Sequence, residues 1–148
     1  MVGTDFLIFG RNNMDYQEYV NRTQQASQLM SSGRFQETVD FLYLLFLSDI
    51  SDIDKASMCV NLATVYDRMG NTETAITWYD KGIGLEQNYS RFEVSEKKAQ
   101  YLSQLGRSKE SVAIYETLIK QPFVSEADKE RMRKTIQAFL GQTTRQWM

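Results

Sequence analysis

The chain has no histidine, one cysteine, one proline and no uninterrupted apolar run longer than seven residues. The missing histidine removes the commonest general base at neutral pH, the commonest activator of a nucleophile and the commonest metal ligand. A lone Cys59 can form neither an intramolecular disulfide nor a thiolate zinc site, and it lies in a helical pattern where a buried thiol is expected. That inventory suits a reducing compartment, so a cytoplasmic location is expected. The longest apolar run, Phe41–Leu47, falls far short of the roughly 18 residues a membrane span requires, which predicts no membrane insertion. Phe6-Leu7-Ile8-Phe9 follows Asp5 and lacks a basic flank, so it does not read as a secretory signal. A formal net charge of −2 disfavours nucleic acid as a partner. Gly106-Arg107-Ser108-Lys109 has neither the spacing of a phosphate-binding loop nor a strand before it. Glu93 and Glu96, at helical spacing, read as a solvated face. No catalytic residue, metal or cofactor is therefore assigned, and the chain is not expected to be an enzyme.

What is present is helical and repetitive. Apolar residues make up 42% of the 148 and charged residues 24%, which are globular values, and the length predicts one domain over residues 15–148 after an extension over 1–14. In the middle of the chain Leu62, Ala63, Tyr66 and Met69 form one apolar stripe at helical spacing. Gly70 stands just past it, where a left-handed residue closes a helix, and Ala75, Ile76, Tyr79 and Ile83 form a second stripe. Counted from Gly106, Ala99 and Leu102 precede and Ser111, Val112, Tyr115 and Ile119 follow at matching positions. Around Gly33 the looser copy is Ala26 and Leu29, then Phe35, Val39, Leu42 and Leu45. The glycines are 37 and then 36 residues apart, a period that indicates stacked supersecondary units.

The pattern resembles the tetratricopeptide repeat (TPR) family on a small residue, an aromatic three positions later, a glycine turn and then Ala-x-x-x-aromatic. The best match is Ala63, Tyr66, Gly70, Ala75, Tyr79 and Gly82. The next is Ala99, Leu102, Gly106, Ser111, Tyr115 and Leu118, and the loosest Ala26, Leu29, Gly33, Thr38, Leu42 and Leu45. The chain departs from the family at its early tryptophan, where Arg22, Cys59 and Ser95 stand, and at Lys98 in place of a leucine. The resemblance implies an all-α fold: a right-handed superhelical stack of three helix hairpins (about 19–52, 56–89 and 92–124), a capping helix (about 126–140) and a tail over 141–148. It further implies a concave groove, lined by the first helices, that holds a peptide or partner segment. Its positions fall on Thr23, Gln24, Ser27 and Met30, then Asn61, Thr64, Asp67 and Arg68, then Glu93, Lys97 and Gln100. Asn61 and Lys97 fit two places of the family's carboxylate clamp, but Thr23 and Ser27 occupy those of its lysine and asparagine, which argues against that clamp.

Helix limits follow from caps. The first pair is expected at about Asp15–Ser32 and Arg34–Leu47. Ser51 with Asp54 opens the next helix, and Thr72–Leu85 is its partner. The third pair is expected at about Arg91–Leu105 and Ser108–Lys120, stopped by Pro122. Ser125 with Asp128 opens a last helix, expected to end at Leu140 before Gly141, with Met132, Ile136, Phe139 and Leu140 on one face. Phe41–Leu47 is apolar all round its helix, so its outer side needs a cover: either Phe6–Phe9 or a second copy of the chain, with Phe41, Tyr43, Leu44 and Phe46 as the oligomer interface. The function expected is a non-catalytic adaptor for a protein or peptide partner. The alternatives are a dedicated chaperone of the type III secretion kind for a membrane-inserting client, with homodimerisation through that run, and a regulatory sensor domain of a larger system.

Overall fold

The computed structural model describes residues 15–147 and contains seven α-helices and no strand among them. Residues 1–14, with Phe6–Phe9, lie outside the described residues, as does Met148. The helices are α1 (Tyr16–Ser31), α2 (Phe35–Leu47), α3 (Asp52–Arg68), α4 (Thr72–Gln87), α5 (Glu93–Gln104), α6 (Ser108–Leu118) and α7 (Glu126–Trp147). The all-α expectation holds, and most limits fall within two residues of those read from the caps.

One closing device recurs at the three glycines. Gly70 has φ +83°, donates its N–H to the Asp67 carbonyl at 2.9 Å, and is followed by Asn71 donating to Tyr66 at 2.9 Å. This paired bond is the Schellman motif, which satisfies carbonyls at a helix end and favours a residue without a Cβ in its left-handed place. Gly33 and Gly106 repeat it, with Arg34 bonding back to Leu29 and Arg107 to Leu102. The residues reached are Leu29, Tyr66 and Leu102, the same three positions that match in the sequence. A fourth instance closes α4, where Arg91 donates to Glu86 at 3.2 Å, but there the left-handed place is taken by Ser90 at φ +55°.

Helix starts follow side-chain chemistry. Asp15 caps α1 by accepting from the N–H groups of Gln17 (2.7 Å) and Glu18 (3.2 Å). Ser51 caps α3, taking the Asp54 N–H at 3.1 Å while its hydroxyl donates to the Asp54 carboxylate at 3.0 Å. Ser125 takes the Asp128 N–H at 3.1 Å, but the Asp128 carboxylate turns away to Arg131. The last helix does not stop at Leu140: it continues through Gly141 to Trp147. Gly141 is one of the glycines whose φ is not left-handed, and no proline follows it, so the single glycine costs only about 1 kcal/mol of helix propensity and does not break the run.

The chain divides into two compact units, one ending at Leu85 and the other beginning at Glu86. In the first, α1 packs on α2 and α2 on α3, around Val39, Leu42, Leu45, Met58, Cys59, Leu62 and Val65. The small residues Ala26 and Ala63 are buried there, as the tight approach of helix backbones requires. In the second, α5 packs on α6 and α6 on α7, around Ala99, Tyr115, Leu118, Val124, Met132 and Ile136. Met132 and Ile136 are buried on the face of α7 that the sequence assigns to packing and Phe139 packs against them, but Leu140, assigned to the same face, is 51% exposed. Ser111, standing where an alanine is usual, is fully buried and donates its hydroxyl to the Ala99 carbonyl at 2.7 Å.

Candidate functional site

In the first unit a groove of about 250 Å³ opens between α1 and α3 with α2 beneath it. Ala26, Met30 and Leu42 supply its apolar floor, and Thr23, Ser27, Asn61 and Thr64 its polar walls. Helical spacing accounts for the set: Thr23, Ala26, Ser27 and Met30 lie three and four apart on α1, as do Asn61 and Thr64 on α3. Five of the residues assigned from sequence, Thr23, Ser27, Met30, Asn61 and Thr64, therefore line one depression.

The polar groups are in different states. Thr23 donates its hydroxyl to the Tyr19 carbonyl at 2.8 Å, and Thr64 donates to Val60 at 3.0 Å. Their protons are spent within their own helices, which leaves oxygen lone pairs as acceptors. Thr64 also engages the side chain of Tyr79, whose hydroxyl is pushed up by burial first and by Asp67 second. Asn61 differs: its half-buried carboxamide makes no hydrogen bond to another described residue, so a donor and an acceptor both remain open. None of the lining residues titrates near neutral pH, so the groove can bind and orient but holds no acid or base of its own. Among the described residues no cluster of histidine, cysteine, aspartate and glutamate could hold a metal ion.

The other assigned residues stand elsewhere. Gln24 is exposed on α1, and Asp67 and Arg68 are exposed in the last turn of α3. Glu93, Lys97 and Gln100 are exposed along α5 of the second unit, where Glu93 pairs with Arg91 at 2.7 Å. Glu96, on the same helix, takes a two-pronged pair from Arg131 of α7 at 2.7 and 2.8 Å. Of the residues assigned to an oligomer interface, Phe46 is buried in its own unit, edge-on to Trp78 with ring centroids 5.5 Å apart, and Phe41 is half-buried. Tyr43 and Leu44 are exposed.

Sequence reasoning missed Glu86, which is 2% exposed. Its carboxylate accepts from the N–H of Val94 at 2.9 and 3.0 Å and from that of Ser95 at 3.1 Å. Phe92, the residue before α5, offers no side-chain cap, so the cap comes from the preceding helix. Burial pushes this carboxyl above its ordinary value, and its two backbone partners pull the other way. A glutamate seven residues before the start of the helix it caps carries no local motif.

Comparison with known proteins places the chain. Residues 24–107, more than half of it, match the family described as "Domain of unknown function (DUF6340)". The chain belongs to the DUF6340 family. No curated protein matches its sequence. Among solved structures it is similar to the type III secretion translocator chaperone SycD of Yersinia enterocolitica, at TM-score 0.54 and 16% identity over 90% of each chain. That likeness establishes the fold: a TPR-like helical repeat. It extends over the DUF6340 region and beyond it at both ends. Among the described residues no helix is long and apolar enough to cross a membrane.

Proposed function

We propose that the protein is a non-catalytic, cytoplasmic holder of other proteins, a chaperone-like scaffold that grips an extended client segment in the groove of its first unit. The carrying observation is the Asn61 carboxamide, which has no hydrogen-bond partner among the described residues, above an apolar floor of Ala26, Met30 and Leu42. A carboxamide offers a donor and an acceptor to a peptide backbone whatever its sequence, and the floor takes side chains. Size supports a peptide over a metabolite. About 250 Å³ is below the roughly 300–1,000 Å³ of small-molecule sites but admits one or two side chains of an extended chain. Two further points favour a chaperone over a general adaptor. The fold is shared with a protein described as a translocator chaperone, and the groove lacks the charged residues that give adaptors sequence-strict recognition. In this reading the helix pairs are tetratricopeptide repeats in the full sense, and membrane-inserting segments are the expected class of client.

Selection of peptides from a random library on the full chain tests this. Extended apolar peptides should be enriched and should bind in the micromolar range. Ser27→Trp, at an exposed position on the groove wall, should abolish binding while leaving the helical circular dichroism intact. Peptides that bind equally well to Ser27→Trp would place recognition elsewhere.

A further inference from the structure

Among the described residues no helix but α2 shows more than one exposed large apolar side chain, and α2 shows three: Tyr43, Leu44 and Leu47, at 44%, 66% and 57% exposure. Asp40 is exposed in the same stripe, at helical spacing before Tyr43, Leu44 and Leu47. The stripe therefore begins acidic and ends apolar. Apolar side chains gathered on one exposed face mark a contact surface.

Its two ends carry opposite charges that the unit itself does not answer. Asp40 accepts a hydrogen bond from the Gln36 carboxamide at 3.0 Å but pairs with no cation among the described residues. Toward the other end the Tyr43 ring meets the rings of Phe46 and Trp78, with centroids 6.4 and 6.0 Å away. The exposed Lys81 lies over both of those rings, its ammonium 5.4 Å from the Phe46 centroid and 5.5 Å from that of Trp78. Lys81 has no carboxylate within ion-pairing distance among the described residues. An anion at one end and a cation at the other, with apolar side chains between, make a surface that complements itself when turned end for end.

We propose that this face of α2 binds a second copy of the chain, the two α2 helices lying antiparallel across a two-fold axis between Tyr43 and Leu44. Symmetry then sets Leu44 of each copy against Tyr43 of the other. Asp40 falls level with Leu47 of the other copy, one residue or about 1.5 Å along the helix from the Phe46 over which Lys81 lies. Each Asp40 thereby meets the other copy's Lys81, and the contact is made twice because a two-fold interface repeats every pair. A parallel pairing would set Asp40 against Asp40 and Lys81 against Lys81, which like-charge repulsion disfavours. Phe46 stays in its own core, and Asp40 and Leu47 take the place the sequence gave it in the interface. The proposal is independent of the client groove, which lies between α1 and α3.

Sedimentation of the full chain over a range of concentrations tests it. The wild type should dimerise with a dissociation constant in the micromolar range. Leu44→Glu, at an exposed position, should weaken the dimer at least about tenfold with the helical circular dichroism intact. Asp40→Lys should weaken it about tenfold, since it sets like charges together at two places. Adding Lys81→Glu to Asp40→Lys should bring the dissociation constant back to within about threefold of wild type, a rescue that lost folding or lost apolar area would not give. A wild-type chain still monomeric at about 100 μM would overturn the proposal. So would a dimer indifferent to Leu44→Glu, which would place self-association on another face. Failure of Lys81→Glu to rescue Asp40→Lys would overturn the antiparallel register.

Discussion

Removing the Glu86 carboxylate should cost the protein more than any surface contact it makes. Glu86→Ala deprives the N–H groups of Val94 and Ser95 of their partner at the start of α5, and both residues are buried, at 4% and 8% exposure. Loss of a helix cap costs about 0.5–2 kcal/mol, and leaving a buried N–H unsatisfied about 1–3 kcal/mol. The two overlap, and relief of a desolvated charge offsets part of them, so the expected net loss is about 2–4 kcal/mol. Urea unfolding followed by circular dichroism measures it. A loss below about 1 kcal/mol would refute the assignment of the cap. Glu86→Gln keeps one acceptor oxygen but turns an NH₂ toward N–H donors, so it should fall between the two; full stability in this variant would show that packing, and not the carboxylate, matters. The pH dependence is a second check. Burial raises this carboxyl, so the folded state holds its proton more tightly than the unfolded chain. Stability from this group is therefore greatest below the ordinary carboxylate value and falls as pH rises through the raised one. The gap between wild type and Glu86→Ala should be widest in acid and narrow toward neutral pH, and a gap that widens would reverse the sign of the argument.

Three further outcomes follow from the packing. Tyr79, 7% exposed and engaged with Thr64, should cost about 3–5 kcal/mol when replaced by alanine, measured by the same unfolding curves. Ser90 holds a left-handed conformation that glycine adopts freely, so Ser90→Gly should stabilise by roughly 0.5–1 kcal/mol, whereas Gly70→Ala should destabilise by about 1 kcal/mol. Burial pushes the Cys59 thiol up to about 11, against a smaller opposing effect of Lys81, so at pH 8 it should resist alkylation until urea unfolds the chain.

The repeat was legible in the sequence because its causes are local. A left-handed glycine, a small residue at a helix crossing and an aromatic three positions on are each dictated within one turn of backbone, so Ala63, Tyr66 and Gly70 suffice to announce a hairpin. The groove was legible by half. Thr23, Ser27, Asn61 and Thr64 converge because α1 and α3 present fixed faces, but Gln24, Asp67 and Arg68 point away by rotations of the helix that composition does not set. Phe46 shows the limit in the other direction, for an aromatic in an all-apolar run is spent inward or outward only when Trp78 arrives from another helix to cover it. Sequence alone determined where the helices begin and turn, and that no histidine or second cysteine is present to do chemistry. Only the tertiary structure decided that Glu86 caps a helix beyond its own, that Ser111 bonds the Ala99 carbonyl and that Asn61 finds no partner among the described residues. Capping and periodicity act between neighbours in the chain, whereas these three depend on which groups packing brings together and which it leaves apart.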